Sequence, residues 1–243
     1  MNINLPFSSE VAQRFDALYQ FISRKYELKQ TKIEITGKEF TLFTVKSIDE
    51  LLDQLIESGP TDKAVKDERL PYWPEIWPSS VALSKYIMEK FSDMQNRKAI
   101  ELGCGIGLVG MVAAIKNVDI VLTDYQPDAL LFAEMNWLIN LGKSPSTIQM
   151  DWRLPELSEE FDLILGSDIV YEERFFWPLI ELFKRFSGED THILLSEPNR
   201  KVAQGFFDLL RKEGFTIRKN AMIEKFKELT FNISIYDITR SNS

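Results

Sequence analysis

The sequence predicts an α/β fold with a doubly wound, mostly parallel sheet of seven strands. From Lys98 onward, apolar segments of strand length alternate with segments of helical periodicity. A glycine-rich turn joins the first of these strands to a helix. The last two strand-like segments are joined only by a short link, Glu224–Glu228, which predicts an antiparallel hairpin at the end of the sheet.

The individual elements of this sheet follow from the alternation. The predicted strands lie at 98–102, 119–123, 147–150, 161–167, 191–196, 215–223 and 229–237. The predicted helices between them lie at 107–116, 127–140, 174–186 and 201–213. Helices that connect successive parallel strands cover both faces of a sheet, which is the Rossmann-like arrangement.

Residues 1–70 predict an N-terminal α+β extension. Its expected elements are a helix, two strands and a second helix, at 10–26, 32–36, 39–45 and 48–57. The segment 58–70 contains Gly-Pro and six charged residues, which is typical of a linker. We therefore divide the chain into an accessory module, 1–70, and an α/β domain, 71–243. Pro78 is suited to begin the first helix of that domain, at 79–91.

The composition excludes several classes of function. The formal net charge of −8 disfavours nucleic acid and favours cationic partners such as Lys- or Arg-bearing protein segments. One cysteine and one histidine exclude a disulfide framework and a Cys- or His-based metal centre, so we expect no metal. The N-terminus lacks a signal-peptide pattern, and the longest uncharged run near the centre, Leu102–Ile115, is too short to span a bilayer. We therefore expect a cytoplasmic monomer that does not bind membranes.

The glycine-rich turn predicts an adenosine-containing cofactor. It reads Glu101-Leu102-Gly103-Cys104-Gly105-Ile106-Gly107, directly after an apolar strand and before a helix. Glycines let the backbone turn sharply and approach a ligand closely. Asp124 ends the next strand, 21 residues after Gly103. A carboxylate at that position can accept hydrogen bonds from both hydroxyls of a ribose.

The same residues permit a dinucleotide interpretation, and so an NAD-dependent oxidoreductase. Gly105-x-Gly107-x-x-Gly110 matches the dinucleotide fingerprint, and Asp124 lies 19 residues beyond Gly105. The position of the loop after residue 100, the short chain that follows the fourth strand and the terminal hairpin favour the methyl donor S-adenosyl-L-methionine instead. A structural turn without a ligand is a third interpretation.

Four segments resemble a known family. The turn at 101–107 resembles motif I of the class I, seven-strand, S-adenosylmethionine-dependent methyltransferases. Three others resemble the family 16 protein-lysine methyltransferases: Tyr72–Ser79 ahead of the turn, Asp151-Trp152, and Asp168-Ile169-Val170-Tyr171, an Asp-x-x-Tyr signature. The resemblance covers about residues 72–200 and implies a lysine side chain of a protein as the acceptor.

The resemblance also implies the site residues. The implied cofactor-binding residues are Trp77, Glu101, Gly103, Cys104, Gly105, Gly107, Asp124, Tyr125, Asp151, Trp152 and Ser167. Asp124 is expected on the ribose hydroxyls, Tyr125 beside the adenine, and Asp151 on the adenine amino group. The implied catalytic residues are Asp168 and Tyr171, facing the methyl group and the acceptor.

The chemistry of methyl transfer gives these two residues plausible roles. A lysine ammonium has no lone pair, so it has to lose a proton before it attacks a methyl group. Asp168 can orient the amine or accept its proton, and the ring of Tyr171 can hold a cation. A purely structural role is the alternative for each. The loop Glu197-Pro198-Asn199-Arg200 either lines the substrate mouth or is a plain loop.

Two alternatives to a protein-lysine methyltransferase stay open from the sequence. One is a small-molecule N-methyltransferase, for which a closed pocket is expected rather than an open groove. The other is a cofactor-binding scaffold without catalysis, against which the intact Asp168 and Tyr171 argue.

Overall fold

The fold is described by a computed structural model over residues 8–57, 71–90 and 95–240 of the 243-residue chain. The predicted linker, 58–70, lies outside the described residues. None of the helices in the described ranges is long and apolar enough to cross a membrane.

The N-terminal unit consists of a helix, a two-stranded antiparallel sheet and a second helix, as expected. They are α1 (Ser9–Ser23), β1 (Leu28–Ile35), β2 (Lys38–Val45) and α2 (Ile48–Glu57). Strand β1 begins earlier than the predicted residue 32, because its polar first half pairs with β2 through the backbone, Leu28 opposite Val45. The first four residues of β1, Leu-Lys-Gln-Thr, do not alternate between apolar and polar side chains, so the pattern that predicts a strand is absent there.

The remaining elements form the α/β domain. In chain order they are α3 (Pro78–Lys90), β3 (Lys98–Leu102), α4 (Leu108–Ile115), β4 (Asp119–Asp124), α5 (Pro127–Leu141), β5 (Ser146–Gln149), β6 (Phe161–Ser167), a 3₁₀ turn (Glu173–Phe175), α6 (Phe176–Phe186), β7 (Ser187–Glu197), α7 (Lys201–Lys212), β8 (Phe215–Phe226) and β9 (Leu229–Arg240). Pro78 begins α3, and Pro127 begins α5, where the missing N–H of proline is harmless.

The sheet confirms the predicted fold class. Its strand order is β5-β4-β3-β6-β7-β9-β8. The pairs β5–β4, β4–β3, β3–β6 and β6–β7 are parallel, and β7–β9 and β9–β8 are antiparallel. The chain runs outward from β3 in one direction and then returns to start β6 on its other side. The carboxyl ends of β3 and β6 therefore flank the topological switch point, where open α/β sheets bind ligands.

Several strands of the sheet extend beyond their predicted boundaries. Strand β7 begins at Ser187 rather than 191, with a register irregularity opposite Phe161 and Leu163. The hairpin between β8 and β9 is tighter than expected, since only Lys227 and Glu228 lie between the strands. Both have positive φ, 47° and 62°. A two-residue turn of this kind matches the twist of the strands it joins, which lets the hairpin extend to its tip.

Helices cover both faces of the sheet. One buried cluster joins α3, α4 and α5 to one face, and a second joins α6 and α7 to the other. The N-terminal unit belongs to the first cluster: Phe15, Ile22 and Phe40 are buried in the same continuous core as Leu108 and Phe132. Burial of this apolar surface is what attaches the unit to the domain.

Two asparagine side chains of α5 also bind the backbone of β2. Asn136 accepts from the Phe43 N–H at 2.7 Å and donates to the Phe43 carbonyl at 3.2 Å. Asn140 does the same for Thr41, at 2.9 and 2.7 Å. Asn136 also donates to the carbonyl of Ile106 in the glycine turn at 3.1 Å. The edge of β2 that does not pair with β1 is thus hydrogen-bonded by side chains instead of by another strand.

We expect Asn136→Leu to destabilise the protein by about 3 kcal/mol, because it leaves buried backbone groups unpaired. Asn136 is fully buried. The measurement is urea-induced unfolding followed by circular dichroism. Lys32→Ala is the control, since the Lys32–Glu39 ion pair on the same two-stranded sheet is exposed and is expected to contribute little. Equal losses for the two variants would contradict the role of Asn136.

Candidate active site

A cavity of about 920 Å³ opens at the carboxyl ends of β3, β4 and β6. It is within the range of small-molecule sites, and it lies at the switch point of the sheet. All of the predicted site residues except Gly107 line it: Trp77, Glu101, Gly103, Cys104, Gly105, Asp124, Tyr125, Asp151, Trp152, Ser167, Asp168 and Tyr171. Gly107 lies behind this wall as the N-cap of α4, with φ 82°. A Cβ there would come within 3.0 Å of Ala133, so its glycine serves the packing of α4 on α5.

The glycine turn forms the floor of the cavity. Gly103 and Gly105 have φ of 65° and 51°, the left-handed region that disfavours side chains. A Cβ on Gly105 would lie 2.9 Å from the carbonyl oxygen of Trp73. A Cβ on Gly103 would lie 3.0 Å from Ile169 and 3.3 Å from the ring of Trp152. Both positions therefore need glycine for conformation and for space.

Asp124 closes the turn from the neighbouring strand. One carboxylate oxygen accepts from the Gly105 N–H and the other from the Gln126 N–H, both at 2.9 Å. Burial raises the pKa of Asp124 to about 6, and the two N–H groups oppose this rise. Each carboxylate oxygen has a second lone pair for a further donor. The position predicted for a ribose-binding carboxylate is thus fixed against the glycine loop.

Glu101 is a buried carboxyl group on β3. The residue is 1% exposed, and its Oε2 has no hydrogen-bond partner among the described residues. Burial raises its pKa to about 8, and the charge of Asp124 adds to the rise, while a backbone hydrogen bond from Gly110 lowers it. A buried polar atom without a partner is costly, and it marks a position where a ligand can supply the missing donor.

Cys104 occupies the turn without the properties of a nucleophile. Its thiol is buried, and burial raises its pKa well above the ordinary value, with the charges of Asp124 and Glu101 adding to the rise. A protonated buried thiol behaves as a small apolar group. This agrees with its interpretation as a small residue of the loop.

The segment after β5 forms one wall. The ring of Trp152 packs edge-on against Phe175 and covers Gly103. The Asp151 carboxylate accepts from Arg153, from Nε at 2.9 Å and from Nη2 at 2.6 Å. No pattern in the sequence indicates this pair. A ligand amino group would therefore share Asp151 with a guanidinium.

Three aromatic rings lie together at the opposite wall. The ring of Tyr72 is 6.0 Å from that of Trp77 and 5.8 Å from that of Tyr171, both edge-on. The Trp77 indole N–H donates to the Tyr72 carbonyl at 2.9 Å. Trp73 turns the other way and packs its ring on Phe132. Tyr72 was not among the predicted site residues, although it belongs to the Tyr72–Ser79 segment.

Asp168 lies directly after β6 in a conformation that is unusual for a non-glycine residue, with φ 57°. Its N–H donates to the carbonyl of Ser196 at 2.8 Å, which fixes this conformation against β7. Its carboxylate forms an ion pair with Arg200 and is 3.4 Å from the Ser79 hydroxyl. The sequence indicated Arg200 only as part of a loop that either lines the substrate mouth or is a plain loop, and it did not single out Ser79.

The fold and the cavity together define a class, the α/β proteins that bind an adenosine-containing cofactor at the switch point of the sheet. The family model described as lysine methyltransferase matches residues 72–213. The chain belongs to this family. Its cofactor is S-adenosylmethionine, which confirms the methyl-donor interpretation over NAD.

Relatives agree with this membership. The chain is 35% identical over 148 residues to the protein N-lysine methyltransferase METTL21A of Xenopus tropicalis, covering 58% of this chain and 68% of that protein. It is 29% identical to the EEF1A lysine methyltransferase 3 of the same organism, covering 68% and 74%. The ribosomal protein L11 methylase of Lactobacillus delbrueckii subsp. bulgaricus is similar in structure, with a TM-score of 0.54 over 67% of this chain and 79% of that one. At 19% identity, this likeness concerns the fold alone.

We expect Gly105→Ala to weaken the binding of S-adenosylhomocysteine at least about tenfold, because the new Cβ displaces the Trp73 backbone from the cavity floor. Gly214→Ala is a matched control: Gly214 also has a positive φ, 84°, but a Cβ there meets nothing within 4 Å. Both substitutions carry the left-handed strain of about 1 kcal/mol. Isothermal titration calorimetry measures the affinities. A similar loss in Gly214→Ala would show that strain, not the cavity floor, is responsible.

The raised pKa of Glu101 predicts that the stability of the protein without cofactor depends on pH. Because the pKa of Glu101 is raised from 4.5 to about 8, the folded chain retains a proton that the unfolded chain has already released. The stability that this retained proton contributes to the folded protein is therefore lost as the pH rises from 4.5 to about 8.

We expect Glu101→Gln to be more stable than the unsubstituted protein at about pH 8.5, with the difference narrowing toward about pH 5. Urea denaturation at a series of pH values measures this difference. The same pH slope in both proteins would contradict the raised pKa.

Proposed function

We propose that this chain methylates the Nζ of lysine side chains in a protein substrate, with Asp168 and Tyr171 in the acceptor site. The observation that carries the proposal is that both residues reach the same cavity as the glycine turn. The relatives whose names state that they methylate lysines of proteins support the same acceptor.

The residues of the cavity floor fit the cofactor. The glycines leave room for close approach of its methionine and ribose parts, and the buried Glu101 Oε2 offers an acceptor to a polar group. Asp124 is assigned to the ribose hydroxyls, and Tyr125 and Trp152 to the adenine. The bound cofactor supplies a methyl group that is already activated on a sulfonium, so the protein has mainly to align the acceptor.

The rings of Tyr72 and Tyr171 fit the acceptor side chain, and they lie beside Trp77, which stays assigned to the cofactor. Lysine has a four-carbon apolar stem and a polar head, and ring faces and edges can contact both parts. Burial raises the pKa of Tyr171 to about 12, and the charge of Glu172 contributes to this rise. The phenol therefore stays protonated at neutral pH, where it can hold a hydrogen bond but does not act as a base.

Asp168 is assigned to the amine itself. It orients the nitrogen lone pair toward the methyl group, and the proton that the ammonium releases leaves through Asp168 or water to solvent. The nitrogen forms its new bond to carbon as the bond between carbon and sulfur breaks, and S-adenosylhomocysteine is released.

The division of the chain into 1–70 and 71–243 remains part of this proposal. Ile56, near the end of α2, lines the cavity while 75% of its surface is exposed. The N-terminal unit therefore borders the mouth of the site, which supports a role in contacting the substrate protein.

We expect Asp168→Ala to abolish methyl transfer while the affinity for S-adenosylhomocysteine changes less than about threefold. The variant Asp208→Ala is the control, because Asp208 lies on the exposed face of α7 and pairs only with neighbouring side chains of that helix among the described residues. Transfer is measured as tritium from labelled S-adenosylmethionine in a heat-treated cell extract, followed by mass spectrometry of the labelled residues.

The outcomes are distinct. Label on protein lysines that is absent with Asp168→Ala supports the proposal. Label only in acid-soluble metabolites would identify a small-molecule methyltransferase instead. Normal turnover of Asp168→Ala together with a large loss of cofactor affinity would overturn the role of Asp168.

A further inference from the structure

The loop between β7 and α7 brings a cation into the cavity beside Asp168. Arg200 lines the cavity, and its guanidinium pairs with Oδ1 of Asp168. The two side chains are 34% and 7% exposed, so the pair is partly withdrawn from solvent. Screening by water is weaker there than at the surface, so each charge has a strong effect on its surroundings.

The loop itself is built to hold Arg200 in place. The buried Glu197 carboxylate accepts from the N–H of Asn199 at 2.6 Å and from the N–H of Arg200 at 2.7 Å. Asn199 has a left-handed φ of 64°, donates to the Asn232 carbonyl at 2.8 Å, and accepts from the Ser234 hydroxyl at 2.7 Å. The loop is thus tied to β9, and the guanidinium is presented from a fixed backbone.

The acidic groups that pair with Arg200 come from two elements. Asp168 follows β6, and Glu197, whose Oε1 is 3.8 Å from the Arg200 guanidinium, ends β7. Burial lowers the pKa of Arg200, but the hydrogen bond to Asp168 and the charges of Asp168 and Glu197 outweigh it and raise the pKa. Glu197 is 1% exposed and is not part of the cavity wall. An acceptor in the cavity therefore meets Asp168 and Arg200 together.

We propose that Arg200 is a positioning residue that fixes Oδ1 of Asp168 and balances its charge, so that the site prefers a neutral amine to an ammonium. This inference rests on the proposed methylation of an amine. A carboxylate without its guanidinium would stabilise the protonated amine, which has no lone pair and cannot attack. With the pair intact, the second carboxylate oxygen can still orient the amine.

The test uses two cofactor analogues and needs no acceptor. Sinefungin carries a cationic amine where the cofactor carries its methyl-bearing sulfur, and S-adenosylhomocysteine is neutral at that point. The ratio of their dissociation constants, measured by calorimetry at neutral pH, reports the charge that faces the methyl group. A merely structural role of Arg200 changes both affinities alike and leaves the ratio unmoved.

We expect Arg200→Met to increase the preference for sinefungin about tenfold and Asp168→Asn to decrease it by a similar factor. The double variant Asp168→Asn/Arg200→Met and the single variant Arg200→Lys are both expected near the unsubstituted ratio. Arg200→Gln gives the same comparison as Arg200→Met if the latter does not fold.

An unchanged or lowered preference in both Arg200→Met and Arg200→Gln would overturn the proposal. The result does not depend on the identity of the acceptor. If no lysine is ever labelled but the ratio shifts as expected, the charge balance stands and the proposed function fails. If lysines are labelled and the ratio does not shift, the proposed function stands and the charge-balancing role of Arg200 fails.

Discussion

The left-handed turn after β3 is the constraint on which the rest of the site depends. Gly103 and Gly105 adopt positive φ while Trp152 and the Trp73 backbone lie against them, so neither position has space for a side chain. This turn lets the chain leave a fully buried strand and enter α4 within a few residues. It also aligns the Gly105 N–H with Asp124. One short segment thus determines the cavity floor, the contact with the end of β4 and the start of α4.

The turn also explains why ionisable groups lie so deep in the protein. Glu101 and Asp124 are both nearly inaccessible to solvent, and burial raises both pKa values. Buried carboxyl groups are costly unless something donates to them. Here the donors are backbone N–H groups of the turn and its neighbours, and one oxygen of Glu101 has no hydrogen-bond partner among the described residues. This buried oxygen without a donor supports the proposed position of the cofactor at the turn.

Three carboxylates of the cavity wall are each paired with an arginine. Asp151 pairs with Arg153, Glu172 with Arg174 and Asp168 with Arg200, and all six residues line the cavity. The first two pairs are local in sequence, whereas the third joins residues 32 apart. Pairing of opposite charges in a partly enclosed space keeps the local field small. This pairing supports the charge balance that we propose for the acceptor site.

The N-terminal unit is not an independent appendage, because it shares a core with the domain and is hydrogen-bonded to it. Asn136 bonds to β2 with its carbonyl and amide groups and donates also to Ile106 of the turn. Two ion pairs join the same helix α5: Arg14 of α1 pairs with Glu134, and Lys25, two residues after α1 ends, pairs with Asp128. A displacement of the N-terminal unit would therefore also disturb the glycine turn.

By itself, the sequence determined the fold class, the sheet with its terminal hairpin, the glycine turn and a set of site residues that nearly all line the cavity. These features are local: periodicity, glycine spacing and short motifs each lie within one element and its flanking turn. Only the tertiary structure decided which cation faces Asp168, that Tyr72 joins Trp77 and Tyr171, and that Gly107 serves packing instead of the cavity wall. Those contacts join segments far apart in the chain, and no local pattern encodes a distance between side chains that meet only when the sheet has assembled.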